Sequence, residues 1–160
     1  MALKVQILCV GKLKEAFWRD ACGEYSRRLG RFCQFSIVET EEERLPEKPS
    51  PAQIAKALQK EGERLLSAVP PRSMTAALCV EGKLFTSEGV ARLMEKAAME
   101  SGSLVFFIGS SWGLSEKVKQ SAAVRLSMSS MTFPHQLARV MLCEQLYRGE
   151  TILSGTMYHK

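Results

Sequence analysis

An unbroken apolar run, Leu104 to Ile108, stops abruptly at Gly109, and no other stretch limits the possible folds as tightly. Five apolar residues without alternation suit a strand covered on both faces, as in a parallel sheet with helices above and below it. Gly109 and Gly113 bracket the loop that follows, and Ser115 is placed to cap a short helix beyond it. The next strand leads to a second loop, Ser129 to Phe133, which runs into Pro134 at the start of a long helix. A glycine loop that feeds a helix at the carboxyl end of a buried strand presents free backbone N–H groups. Two adjacent loops of this kind make a pocket suited to a nucleotide-like ligand. Glycine after a strand also serves turn geometry alone, so Gly109 and Gly113 by themselves leave both readings open.

The rest of the chain alternates strands with helices. Leu3 to Val10 reads as the first strand, ended by Gly11. In the helical segment that follows, Phe17, Ala21, Tyr25 and Leu29 recur at i, i+4 spacing and define one apolar stripe. Its other face carries Lys12, Lys14, Arg19, Arg27, Arg28 and Arg31 against Glu15, Asp20 and Glu24. That face is either a contact for RNA phosphate or a solvated charged surface. Cys33 to Glu39 is a second strand, and the acidic, proline-bearing loop 40–51 after it would face away from nucleic acid. Ser50, Pro51 and Gln53 spell a capped helix start, with Ile54, Leu58, Leu65 and Leu66 as its core face. Met74 to Val80 reads as a third strand that ends at Glu81-Gly82-Lys83. Thr86 or Ser87 then caps a helix whose Val90, Leu93, Met94 and Ala97 face inward. The alternation implies an α/β fold, a mostly parallel sheet flanked by helices, in one domain over residues 1–160.

Composition narrows the partners. A chain of 160 residues, 46% hydrophobic and 24% charged, is an ordinary globular domain with room for a sizeable core. Its 22 Lys and Arg against 17 Asp and Glu leave a net charge of +5, which favours an anionic partner. The cysteines, at 9, 22, 33, 79 and 143, form no CxxC pair, and three lie in apolar runs. Buried reduced thiols, and with them a cytoplasmic location, are the expectation. Lys4 and Gln6 interrupt the opening apolar stretch, which is therefore a strand and not a signal peptide. No segment reaches membrane-spanning length, and the two histidines, His135 and His159, lie far apart in no ligand cluster, so neither a membrane nor a metal is expected.

The SSWG loop at 110–113, the run SMTFPHQLAR at 130–139, EQLYR at 144–148 and the terminal Tyr158-His159-Lys160 together resemble the ribosomal RNA large-subunit pseudouridine methyltransferase H family, a branch of the SPOUT methyltransferases. The resemblance covers essentially the whole chain, and MTFPHQLAR is its most specific part. It implies an α/β fold with a C-terminal trefoil knot, a homodimer, and S-adenosylmethionine held in the knot loops. Nothing in composition or periodicity implies the knot. By resemblance the cofactor-binding positions are Leu78, Gly109, Gly113 and the loop Met128, Ser129, Ser130, Met131, Thr132 and Phe133, acting largely through backbone; Leu78 also reads as a core residue. The implied reaction methylates the N3 nitrogen of a pseudouridine in large-subunit (23S) ribosomal RNA. Assembled ribosomes are the expected partner, because so small a chain carries no appended RNA-binding domain.

Methyl transfer from a sulfonium is an in-line displacement, which asks the protein to align two reactants and exclude water. The acceptor nitrogen must lose a proton, and the catalytic candidates are His135, Arg139, Tyr158 and His159. Arg139 lies one helical turn beyond His135, so both are expected at the same edge of the pocket; His135 reads equally as a helix cap. The tail Tyr158-His159-Lys160 is expected to fold over the cofactor pocket of its own or the partner subunit. The last helix is apolar nearly all round, at Leu137, Ala138, Val140, Met141, Leu142, Cys143, Leu146 and Tyr147; a two-fold partner is the economical cover for its second face, and a buried helix in a monomer is the alternative. Two positions depart from the family: Ser110-Ser111-Trp112 follows Gly109 where the family has paired glycines, and Met157 stands where it has proline. Trp112 reads as a stacking surface or, by slight preference, as packing against the following helix. Two alternatives to the main reading are a non-catalytic RNA-binding module of the same fold and a SPOUT enzyme acting on another RNA.

Overall fold

A computed structural model describes residues 2–160. In chain order the elements are β1 (Lys4–Val10), α1 (Ala16–Leu29), β2 (Gln34–Thr40), α2 (Pro51–Ser67), β3 (Met74–Leu84), α3 (Ser87–Glu100), β4 (Ser103–Ile108), α4 (Glu116–Ser121), β5 (Val124–Ser127) and α5 (His135–Ser154). The strands form one parallel sheet in the order β2-β1-β4-β3-β5. The apolar run Leu104 to Ile108 is the central strand and is fully covered, as its lack of alternation requires. Leu104, Phe106 and Ile108 point to the layer of α1, α3 and α5, whereas Val105 and Phe107 point to the layer of α2 and α4.

Helix starts follow their local signals. The Ser50 hydroxyl accepts from the Gln53 amide at 3.2 Å while the Gln53 side chain accepts from the Ser50 amide at 2.8 Å, a complete capping box. Thr86 and Ser115 cap α3 and α4 in the same sense.

Helix faces follow them less well. In α1 the core side is Trp18, Cys22, Tyr25 and Leu29, and Phe17 is 63% exposed. An unbroken i, i+4 series drifts by about 40° at every step, so four members cannot share a face; mixed spacings of three and four can. In α2 the buried residues are Ala57, Glu61, Gly62 and Leu65, while Ile54, Leu58 and Leu66 are only half-buried. Strand β3 also runs on past Val80 through Glu81-Gly82-Lys83 to Leu84. It pairs with β5 up to Leu78, leaves the ladder, and rejoins it at Lys83. Gly82 makes that excursion tight, since a β-carbon there would meet the Arg125 backbone at 2.7 Å.

Helix α5 lies between α1 and α3, and none of its residues from His135 to Ile152 is exposed. The covering of its second face by a partner is therefore not needed: the same chain supplies it, and Gly149 allows α3 so close that a β-carbon would stand 2.9 Å from Met94 Sδ. Arg139, only 1% exposed, ties α5 to the sheet. Its Nη1 donates to Glu39 Oε2 at 2.6 Å and its Nη2 to the Gly11 carbonyl at 3.1 Å, so the ends of β1 and β2 meet on one guanidinium, and the Leu13 amide donates to the same Glu39 oxygen at 3.3 Å. All five cysteines are unpaired, and burial pushes the thiols of Cys9 and Cys33 up to about 12.

The pair is buried on its arginine side only, since the Glu39 side chain is 35% exposed and keeps the Leu13 amide, so losing Arg139 costs its packing and its two charge-assisted hydrogen bonds. Arg139→Ala is expected to lower the unfolding free energy by about 3 kcal/mol, measured by urea denaturation; a loss below about 0.5 kcal/mol would contradict the tie.

Candidate cofactor cavity

The carboxyl ends of β3, β4 and β5 enclose a cavity of about 790 Å³, lined by 78–81, 108–114, 127–129 and 131–136 with Lys119 and Ala138. That is the size and place expected of a ligand site in an open α/β sheet. The central wall is the loop after β4. A β-carbon on Gly109 would stand 2.1 Å from the Gly113 carbonyl oxygen, so only glycine lets the loop close on itself. Gly113 takes a φ of +87°, and its amide donates to the Ser110 carbonyl at 2.9 Å.

Ser110 fits this loop without strain, because Arg72 is the sole described non-glycine residue at positive φ. Its buried hydroxyl accepts from the Trp112 amide at 3.3 Å, a bond glycine would lack. Trp112 is half-exposed on the cavity wall, where its ring is open to a ligand. In the second loop, Ser127 Oγ donates to the Ser129 carbonyl at 2.8 Å and Ser129 Oγ accepts from the Met131 amide at 3.0 Å.

Leu78, Gly109, Gly113, Met128, Ser129, Met131, Thr132 and Phe133 all line the cavity, and Ser130 belongs to the same loop without lining it. Among the catalytic candidates, the cavity brings in only His135. Pro134 is the N-cap of α5 and makes no side-chain cap bond, so His135 is the first helical residue and not a cap. Burial holds its imidazole below the ordinary histidine range; Glu42 opposes that shift and Arg139 adds to it.

Arg139 turns the other way, into its ion pair with Glu39, so the two residues do not share an edge of the cavity. A turn of helix separates them along the axis, and the sheet beneath claims the longer side chain. The tail also lies elsewhere, against its own α5 and the start of α3. Tyr158 donates to Glu144 Oε2 at 2.8 Å, its ring meets Tyr147 edge-on, and Arg148 lies over it. His159 bonds Arg148 at 3.1 Å and Glu88 at 2.9 Å. Burial, reinforced by Glu144, pushes the Tyr158 hydroxyl up to about 12. Within one chain, then, the tail does not cover its own cavity.

One wall feature had no signal in the sequence. The ladder excursion of β3 carries Glu81 to an ion pair with Lys119 of α4, and this pair holds the Glu81 carboxyl below the usual range. No periodicity links residues 81 and 119. Among the described residues, no three His, Cys, Asp or Glu side chains gather at metal-binding range, and no helix is long and apolar enough to cross a membrane.

Parallel strands, two helical layers and a glycine-loop cavity at the strand ends define an α/β protein with a cavity where open sheets of this kind take ligands. A family model described as "Predicted SPOUT methyltransferase" matches residues 3–159, and the chain belongs to that family. SPOUT methyltransferases generally use S-adenosylmethionine, and their family points to RNA as the class of acceptor. The cavity fits such a cofactor. Leu78, Ile108, Met128 and Phe133 offer apolar walls to a purine, the loops offer backbone groups, and Glu81 with Lys119 offers both charges to a zwitterionic amino-acid end.

Gly109→Ala is expected to weaken S-adenosylmethionine binding at least about tenfold by calorimetry, because closing the loop then requires backbone displacement. Gly23→Ala is the control: a β-carbon there meets nothing within 4 Å, and the change is expected to stabilise α1 by about 0.5–1 kcal/mol without altering binding.

Proposed function

We propose that this protein is an S-adenosylmethionine-dependent methyltransferase that modifies the N3 nitrogen of a pseudouridine in large-subunit ribosomal RNA, on assembled ribosomes and as a homodimer. The observation that carries the reading is the convergence of three backbone loops on one cavity at the positions the MTFPHQLAR and glycine-loop motifs single out.

S-adenosylmethionine supplies an electrophilic methyl group on a positively charged sulfur. The chain's own tasks are to hold the acceptor in line, to exclude water and to manage one proton. The apolar loop walls and Trp112 restrict solvent. His135, its imidazole held below the ordinary range by burial at the cavity edge, is the lining histidine able to take a proton from the ring nitrogen. Val80, Trp112 and Met131 are 45%, 50% and 65% exposed around the mouth, an apolar rim that a second copy would cover. The tail's placement away from its own cavity suits a role at the partner's, where Tyr158 and His159 would meet the target base. Its surroundings supply the means to hold it in reserve: a hydroxyl–carboxylate bond, a guanidinium over the ring and a histidine–carboxylate contact.

Ser110 sits unstrained where the family has glycine, so the loop's departure lends no support to a non-catalytic RNA-binding module. The test is transfer of labelled methyl from S-adenosylmethionine to ribosomes lacking the modification, with the labelled nucleotide mapped. Label on a large-subunit pseudouridine is the expected result, and label on transfer RNA alone would favour the other substrate. Deleting residues 158–160 is expected to reduce the rate at least about a hundredfold, in line with loss of groups placed at the reacting base. Cofactor affinity should stay within about threefold of the full chain, and unchanged transfer by the shortened chain would remove the tail from the mechanism.

A further inference from the structure

A second cavity, of about 450 Å³, opens on the other side of the Ser110–Trp112 segment. It lies at the carboxyl ends of β1, β2 and β4, walled by Lys14, the loop after β2, α2 and that shared segment. The chain leaves β1 toward β2 and leaves β4 toward β5, in opposite directions along the sheet. Crevices at such reversals are where open α/β sheets take ligands.

One residue in this wall is only half accounted for by contacts within the chain. Glu61 stands in the middle of α2 on its core side, where the helix pattern calls for an apolar residue, and is 3% exposed. Its Oε2 accepts from the Glu43 amide at 3.0 Å, while its Oε1 is buried with no partner. Burial, with Glu42 and Glu43 nearby, pushes the Glu61 carboxyl above the usual carboxylate range; the Glu43 amide and the Ser110 hydroxyl oppose that shift, the latter without a hydrogen bond of ordinary geometry. Glu61 cannot swing out with its helix, because at the next position Gly62 a β-carbon would already stand 2.5 Å from Ser115 Oγ. A buried, unpaired carboxylate oxygen costs stability unless something else satisfies it.

We propose that this second cavity seats the acceptor base and that Glu61 Oε1 accepts a hydrogen bond from one of its ring N–H groups. The proposal rests on the methyltransferase reading and adds where the acceptor lies and what selects it. The cavity shares its Ser110–Trp112 wall with the cofactor cavity, so a base here lies next to the methyl donor. Trp112, half-exposed between the two, offers an aromatic face for stacking. The rim carries Lys14 and Arg44 for phosphate but also Glu42 and Glu43, so a base here meets the acidic loop that the sequence reading turned away from nucleic acid. A uracil ring joined to ribose through nitrogen has one ring N–H, at the atom to be methylated. The same ring joined through carbon has a second, at N1. With N3 turned to the donor, only the carbon-linked base has an N–H left for Glu61, which makes Glu61 a specificity-determining residue for pseudouridine. A site built to bond a group rejects analogues that lack it, since its own buried acceptor then stays unpaired.

The test compares large ribosomal subunits carrying pseudouridine at the target with subunits carrying uridine there. The wild type is expected to show kcat/KM at least about tenfold higher on pseudouridine. Glu61→Met, of similar length but without an acceptor, is expected to bring the two substrates within about twofold by losing rate on pseudouridine alone. Affinity for S-adenosylmethionine is the readout that a merely structural role would move, and it is expected to hold; the melting temperature falls by the loss of the Glu43 amide bond alone, which bears equally on both substrates. Should Glu61→Met fail to fold, Glu61→Gln keeps the shape and gives up the charge, and an intermediate preference is expected. A preference that survives in the variants, a wild type that does not discriminate, or a parallel loss of cofactor affinity would overturn the proposal. A wild type that transfers methyl to neither substrate would overturn the methyltransferase reading beneath it as well.

Discussion

The contact between Gly109 and the carbonyl of Gly113 governs more of this molecule than its size suggests. With only a hydrogen in the space where a β-carbon would clash at 2.1 Å, the loop after β4 folds flat onto the strand end and hands the chain to Ser115. Ser115 in turn receives α2 through Gly62, again at a distance that excludes any side chain. A run of close approaches therefore links the central strand, the loop, α4 and α2, and fixes both walls of the Ser110–Trp112 segment. The cavity on one side and the buried carboxyl of Glu61 on the other are consequences of the same tight packing.

The opposite layer is organised by charge. Arg139 reaches from α5 into the ends of β1 and β2, where Glu39 and the Gly11 carbonyl take its two terminal nitrogens and leave Nε without a partner. That fixes the rotation of α5 and brings its first turn, with His135, to the cavity edge. The helix gains its position from this ion pair and its cover from α1 and α3, so the apolar residues left for a second copy lie around the cavity mouth instead. Methyl transfer needs alignment and a dry site more than it needs reactive side chains, and the cavity accordingly consists mainly of loop backbone and apolar walls.

Features written locally in the chain were legible: the doubly covered strand Leu104–Ile108, the caps at Ser50, Thr86 and Ser115, the inward face of α3, and the loop positions 109, 113 and 128–133. Each depends on a few neighbouring residues and one physical rule. What escaped depends on distant partners. Arg139 is one turn from His135 in any helix, but whether its long side chain reaches the pocket or the sheet is decided by Glu39, a hundred residues away. Glu81 finds Lys119 only because β3 leaves its ladder and returns. Trp112 is held on the cavity wall by a loop whose closure the sequence does not display. The tail's attachment to Glu144, Arg148 and Glu88 could not be read from Tyr158 and His159 alone.

Hydrogen–deuterium exchange of the full chain, with and without S-adenosylmethionine, tests most directly whether these loops form one cofactor site. The account predicts slowed exchange at 78–82, 108–114 and 127–136, with little change in α1 or the body of α2. Protection elsewhere, or none at saturating cofactor, would contradict it.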